Sequence, residues 1–227
     1  MHKHSHTIAG KTVSAYLPAR ADLPLLLTFL TQEESDQLAA LLNGQAALIS
    51  VDEPLWEHAF TPWPAPAAFK KAPEFSGGAD DNLNWIIREL LPQIEQTHAL
   101  QPQWRGLIGY SLGGLFTAYA AYQPTPFTRF ASVSGSLWFD GWADFIANHS
   151  LNTLPHTAYF SVGDTEKNSK NPRMAVVETN TLATRQNWQT QGVSCTFELN
   201  SGGHFQDIPQ RMAKAASYLL ENTAESA

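Results

Sequence analysis

A chain of 227 residues that is 43% hydrophobic and 15% charged can bury one sizeable core, and its formal net charge of -7 argues against nucleic acid or an anionic membrane surface as partner. Its 14 basic residues are scattered, and the single cysteine, Cys195, excludes an internal disulfide and reads as a buried apolar residue. No apolar run approaches a transmembrane length and none follows Met1 to His6, so a cytoplasmic location is expected.

Along the chain, His2, His4 and His6 alternate in residues 1–10, a segment that could bind a metal adventitiously or be a flexible end; no functional metal site is expected there because no second ligand cluster accompanies them. Strands are predicted near Lys11 to Leu17, Pro24 to Leu30 and Ala46 to Val51, then Trp104 to Ile108, Phe130 to Ser134, Thr157 to Val162 and Ser194 to Leu199. Apolar residues at helical spacing mark Glu33 to Leu42, Asn82 to Gln96, Met174 to Gln189 and a final amphipathic helix around Pro209 to Leu220. Between them, residues 54–78 carry Pro62, Pro64 and Pro66 among small and aromatic residues. That pattern suits neither a helix nor a central strand and predicts a surface excursion near the active-site mouth. Alternating strands and helices without an internal repeat predict a single α/β domain over 1–227, with a mostly parallel, doubly wound sheet and helices on both faces. Its functional residues belong at the carboxyl edge of the strands.

At that edge stands Gly109-Tyr110-Ser111-Leu112-Gly113-Gly114, directly after one predicted strand and directly before the helix that opens at Leu115. A G-x-S-x-G turn between strand and helix presents the serine above the sheet. There the Leu112 N–H and the positive end of the helix dipole would face an oxyanion on an attacked ester. A serine nucleophile needs a base, and the base an orienting acid, in the order Ser, Asp or Glu, His. Strand Thr157 to Val162 runs into a loop with Asp164 and Glu166, and strand Ser194 to Leu199 runs into Ser201-Gly202-Gly203-His204-Phe205. His204 is therefore the expected base. Glu166, three residues past Gly163, is preferred as the acid over Asp164, which could equally cap its own loop; a Ser-His dyad without either is the third arrangement. His58, His98, His149 and His156 lack any partner pattern.

The stretches GLIGYSLGGLFTAYAAY, FASVSGSLWFDGW, SVGDTEKNSKNPRM and SGGHF resemble the "Putative esterase" family of α/β-hydrolases, from about Gly77 to Leu220. Its members include siderophore esterases and related bacterial serine hydrolases. The resemblance implies an α/β-hydrolase fold, Ser111 as nucleophile, His204 as base, Glu166 at the acid position and no cofactor. The first half departs from the family pattern: Thr31-Gln32-Glu33 stands where a Leu-Asp-Gly turn is usual, and the Arg-x-x-Asp element before Thr61-Pro62-Trp63 is missing. A second oxyanion donor is expected from the N–H of Thr31 or Gln32.

Seven tryptophans are many for this length. Trp138, Phe139 and Trp142, with Trp63, are the expected wall for an acyl or aryl group, although loop aromatics also serve simply to pack a loop onto a sheet. The resulting reading is a serine carboxylic-ester hydrolase acting on a small-molecule ester. Siderophore trilactone hydrolysis, acyl transfer and a non-catalytic binding protein are the alternatives.

Overall fold

The computed structural model describes residues 1–152 and 154–222. All seven expected strands form within two residues of their predicted ends, and another precedes them. In chain order these are β1 (His2–Ile8), β2 (Lys11–Leu17), β3 (Leu25–Thr28), β4 (Ala47–Asp52), the short β5 (Pro64–Ala65) and β6 (Phe75–Ser76), β7 (Arg105–Tyr110), β8 (Arg129–Val133), β9 (Thr157–Gly163) and β10 (Ser194–Asn200). Eight of them form one sheet in the order β1-β2-β4-β3-β7-β8-β9-β10. The β1–β2 and β2–β4 pairings are antiparallel and the rest are parallel.

The helices are α1 (Gln32–Leu42), α2 (Trp56–Ala59), α3 (Ala79–Trp85), α4 (Leu91–Thr97), α5 (Leu112–Ala120), α6 (Trp142–Asn148), α7 (Pro172–Ala175), α8 (Val177–Thr190) and α9 (Ile208–Glu221). Between α3 and α4 the predicted helix continues through one widened turn, Ile86–Leu90. Pro92 follows there; it has no N–H to give and its ring would crowd the carbonyl one turn back, so the helix opens rather than breaks.

Alternation along the strands divides the core. Leu25, Leu27, Ile49, Leu107 and Phe130 face one layer with Leu83, Ile94, Leu115 and Trp188. Leu26, Leu48, Ile108 and Ala131 face the other, with Leu38 and Leu42 of α1 and Met212 and Leu219 of α9. Strands covered on both faces read as continuous apolar runs, which is why Pro24 to Leu30 looks like a strand without alternating polarity. The chain reverses its direction of strand addition between β3 and β7, and a crevice opens at their carboxyl ends.

The amino terminus corrects the expectation of a flexible end. His2–Ile8 pairs along its whole length with β2, from His2 opposite Leu17 to Ile8 opposite Lys11, through a tight turn with Ala9 and Gly10 both at positive φ. The alternating histidines also gain a neighbour, since His6 Nε2 lies 2.9 Å from His98 Nε2 and the His4 ring lies 4.7 Å from that of His98. Residues 54–78 hold α2 and the β5–β6 ribbon. Burial pushes the Cys195 thiol up to about 12, so it stays a protonated, unreactive side chain.

Candidate active site

Ser111 sits between β7 and α5 with φ 56° and ψ -125°, a backbone region that glycine alone enters freely. Its neighbours hold it there. Its N–H donates to Val133 O (3.2 Å), and its carbonyl accepts from the N–H groups of Gly114, Leu115 and Ser136 at 2.9, 3.1 and 2.9 Å. The strand and helix pass so closely that a Cβ on Gly109 would lie 1.9 Å from Gly113 O, and one on Gly114 would lie 2.7 Å from the Gly135 Cα. A Cβ on Gly113 would make ordinary contacts with the Phe29 and Trp56 side chains, at 3.7 and 3.8 Å. Gly109→Ala is therefore expected to cost about 3 kcal/mol or more, whereas Gly113→Ala, in a helix, stays within about 1 kcal/mol of the parent. Urea unfolding midpoints at unchanged slope measure both.

Three loops at the same edge of the sheet bring the expected residues together. His204, on the loop after β10, has Nε2 3.0 Å from Ser111 Oγ and Nδ1 2.7 Å from Glu166 Oε2. Glu166 opens the short turn after β9, and its other oxygen accepts from Gly163 N–H at 2.7 Å. Burial penalises its charge. The hydrogen bond and charge of His204, with the Gly163 N–H and the Ser134 hydroxyl, outweigh that penalty and hold the carboxyl below the usual carboxylate range. Asp164 does not face the imidazole. It accepts from Gly202 N–H at 2.9 Å and so ties the acid loop to the histidine loop.

The Thr31 N–H, one of the two groups expected as the second oxyanion donor, is engaged elsewhere. It donates to Glu34 Oε2 at 3.1 Å while Glu34 N–H donates back to Thr31 Oγ1, a reciprocal cap at the start of α1. The Thr-x-x-Glu spacing carried that signal. Leu112 holds the first position of α5, where the N–H groups lack partners within the helix.

Beside the serine opens a cavity of about 370 Å³, lined by Ser111, Leu112, Ser136, Glu166 and His204 together with Trp56, Phe69, Phe75, Trp138, Met174, Val177 and Phe205. Of the aromatic residues expected to form its wall, Trp138 does so and three do not. Phe139 and Trp142 are fully buried, and Trp142 lies in α6, where its indole N–H donates to Thr184 Oγ1 at 2.9 Å. Trp63 packs against Phe139 and Phe145 and donates to Asp140 O at 2.8 Å. Each of the three satisfies its apolar bulk, and each indole its N–H, by packing a loop or helix onto the sheet. The residues that replace them come from the 54–78 excursion, from α7 and α8 and from beside His204. Only Phe205 had a local sequence signal, its place next to the base; Trp56, Phe75, Met174 and Val177 are brought in from distant segments.

Two further side chains escaped the sequence reading. Ser136, in the Ser134 to Trp138 run, has Oγ 3.4 Å from Ser111 Oγ. Arg211, in the first turn of α9, is almost fully buried behind Glu166.

The fold is that of the α/β-hydrolases, and at the carboxyl edge of its sheet Ser111, His204 and Glu166 stand in one hydrogen-bonded line. Residues 32–207 match the family described as "Putative esterase", and the chain belongs to that family. Over 114 residues it is 34% identical to the Uncharacterized protein YbbA of Bacillus subtilis (strain 168), a match covering 49% of this chain and 46% of that relative, so the matched part is about half the length of each. Among solved structures it is similar to the siderophore hydrolase EstA from Aspergillus nidulans, with a TM-score of 0.78 and 18% identity over 98% of this chain and 95% of that one. It is also similar to an IroE-like serine hydrolase from Shewanella oneidensis, with a TM-score of 0.80 and 15% identity over 99% and 81% of the two chains. At these identities the two likenesses concern the fold. Among the described residues no helix is long and apolar enough to cross a membrane, and no group of three or more His, Cys, Asp or Glu side chains is arranged to hold a metal ion.

Proposed function

We propose that this protein cleaves carboxylic esters of small molecules through an acyl-enzyme on Ser111. The observation that carries the reading is the unbroken hydrogen-bonded line from Ser111 Oγ through His204 to Glu166 at the floor of an apolar cavity. With its proton on Nδ1 facing Glu166, the imidazole offers Nε2 to the serine hydroxyl. His204 takes the Ser111 proton as Oγ attacks the ester carbonyl, then gives it to the leaving alcohol. The oxyanion forms at the start of α5, where Leu112 N–H and the helix dipole stabilise it; since Glu34 takes the Thr31 N–H, the second donor in this reading is the Gln32 N–H. Water, activated by the same histidine, releases the acid and frees Ser111. These steps call for no cofactor. Acidic overall charge disfavours a nucleic-acid partner, and the reading includes a cytoplasmic location, to be checked by cell fractionation. A fluorophosphonate probe should add one covalent group to Ser111, read by mass spectrometry of its tryptic peptide. An unlabelled Ser111 in folded protein would turn the reading towards a binding protein.

For substrate, the cavity suits small or aromatic acyl esters. One observation favours a second reading, hydrolysis of a bulky anionic ester such as a siderophore trilactone. Among the solved structures it resembles is a siderophore hydrolase, EstA from Aspergillus nidulans. Against that reading stand the net charge of -7 and the pairing of Arg173, the cation beside Trp138, with Asp140 at 2.9 Å, both of which disfavour a highly anionic substrate. Enterobactin-type lactones and simple aryl esters, presented in competition, separate the readings by the ratio of their kcat/KM values. An aryl-ester preference is expected; a lactone advantage of about a hundredfold, near 3 kcal/mol, reverses the ranking. Product analysis with and without added alcohol distinguishes hydrolysis from acyl transfer.

A further inference from the structure

We infer that Arg211 is a positioning residue for the Glu166–His204 pair, an inference that rests on the triad reading above. The guanidinium occupies a place that a cation would otherwise avoid. Its side chain is 2% exposed, and it lies in the first turn of α9, at the positive end of the helix dipole. A buried charge in such a position is tolerated only with close partners.

Those partners belong to every segment that builds the site. Arg211 Nη1 lies 3.6 Å from Glu166 Oε1, the oxygen turned away from the imidazole. The same nitrogen donates to Ser134 Oγ at 3.2 Å and to Tyr110 OH at 3.4 Å, while Nη2 donates to Ser201 O at 2.8 Å. Tyr110 in turn donates its hydroxyl proton to the His204 carbonyl at 2.5 Å. One planar fork thus joins the residue before the nucleophile, the end of β8, the acid and the loop that carries the base. Its geometry fixes Glu166 so that Oε2 is left for Nδ1 of His204. Arg211 lines no part of the cavity, so it acts through Glu166 and His204 rather than on substrate. A lysine is a point charge and could reach one of these partners, not the set.

The test compares Arg211→Gln and Arg211→Lys with Lys214→Gln, a control on the same helix whose side chain is half-exposed. Turnover of a p-nitrophenyl ester is expressed per serine titrated with a fluorophosphonate, so that a smaller folded fraction does not count as slower chemistry. Arg211→Gln should lower kcat by roughly a hundredfold with KM within about threefold, as expected when reacting groups are displaced by an ångström or less. Loss of a cation beside the pair favours the protonated form of the Glu166–His204 unit, in which His204 cannot act as base, so the acid limb of kcat/KM should move to higher pH. Arg211→Lys should recover part of kcat and part of that shift, and it carries the test should the Gln variant fail to fold. Lys214→Gln should match the parent. A parental kcat per titrated serine with an unmoved acid limb in the Arg211 variants, whatever their melting temperature, overturns the positioning role. Activity surviving in Ser111→Ala would instead remove the triad reading itself.

Discussion

Ser111→Ala is expected to lower hydrolysis of short p-nitrophenyl esters by about three to six powers of ten, with substrate binding little changed. The hydroxyl is the only group on the line to His204 that can attack a carbonyl, and what remains without it is the oxyanion site and the cavity. His204→Ala should be about as damaging, and the double variant little worse than either, because nucleophile and base act as one unit. Activity of Ser111→Ala within roughly tenfold of the parent would exclude the mechanism. The loss should not come from unfolding. Ser111 is held at φ 56° and ψ -125° by backbone hydrogen bonds that alanine keeps, and Ser111→Gly, freed of the Cβ in that region, should be more stable than the parent by about 1 kcal/mol. Thermal unfolding of the three proteins decides this.

Glu166→Gln is expected to lower kcat by about a thousandfold or more. The amide keeps the shape of the side chain but loses the charge that stabilises an imidazolium, and its NH₂ can hold the wrong tautomer of His204. Asp164→Asn should cost less than about tenfold, because an amide oxygen can still accept from Gly202 N–H and brace the two loops. The comparison is kinetic and direct. Larger loss from Asp164→Asn would transfer the orienting role to it, and little loss from either, singly or together, would establish a Ser-His dyad.

The sequence by itself determined the elements whose signals are local. A serine between a strand and a helix, with Gly109 before it and Gly113-Gly114 after it, can form only a sharp turn there, and the strands buried on both faces announce themselves as apolar runs. The order Ser111, Glu166, His204 along successive strand-to-helix loops follows from the same parallel topology, and the structure brings the three within hydrogen-bonding reach. The cap Thr31-x-x-Glu34 was equally local, yet a family pattern for that loop pointed to a different use of the Thr31 N–H.

Tertiary structure alone decided the rest. Composition cannot say which aromatic faces a cavity and which fills a core: Trp142 and Trp138 lie four residues apart, and packing of α6 against α8 buries the first while the second lines the cavity. Nor can a loop sequence choose between Asp164 and Glu166. Which of them meets the imidazole depends on how β9 and β10 lie side by side: Gly202 N–H donates to Asp164, and Glu166 is hydrogen-bonded to His204. Arg211 reads as one more charge on an amphipathic helix until α9 docks against the sheet. Contacts between segments a hundred residues apart, such as Arg211 with Tyr110, exist only after the sheet has set those segments side by side, and no period or spacing along the chain encodes them.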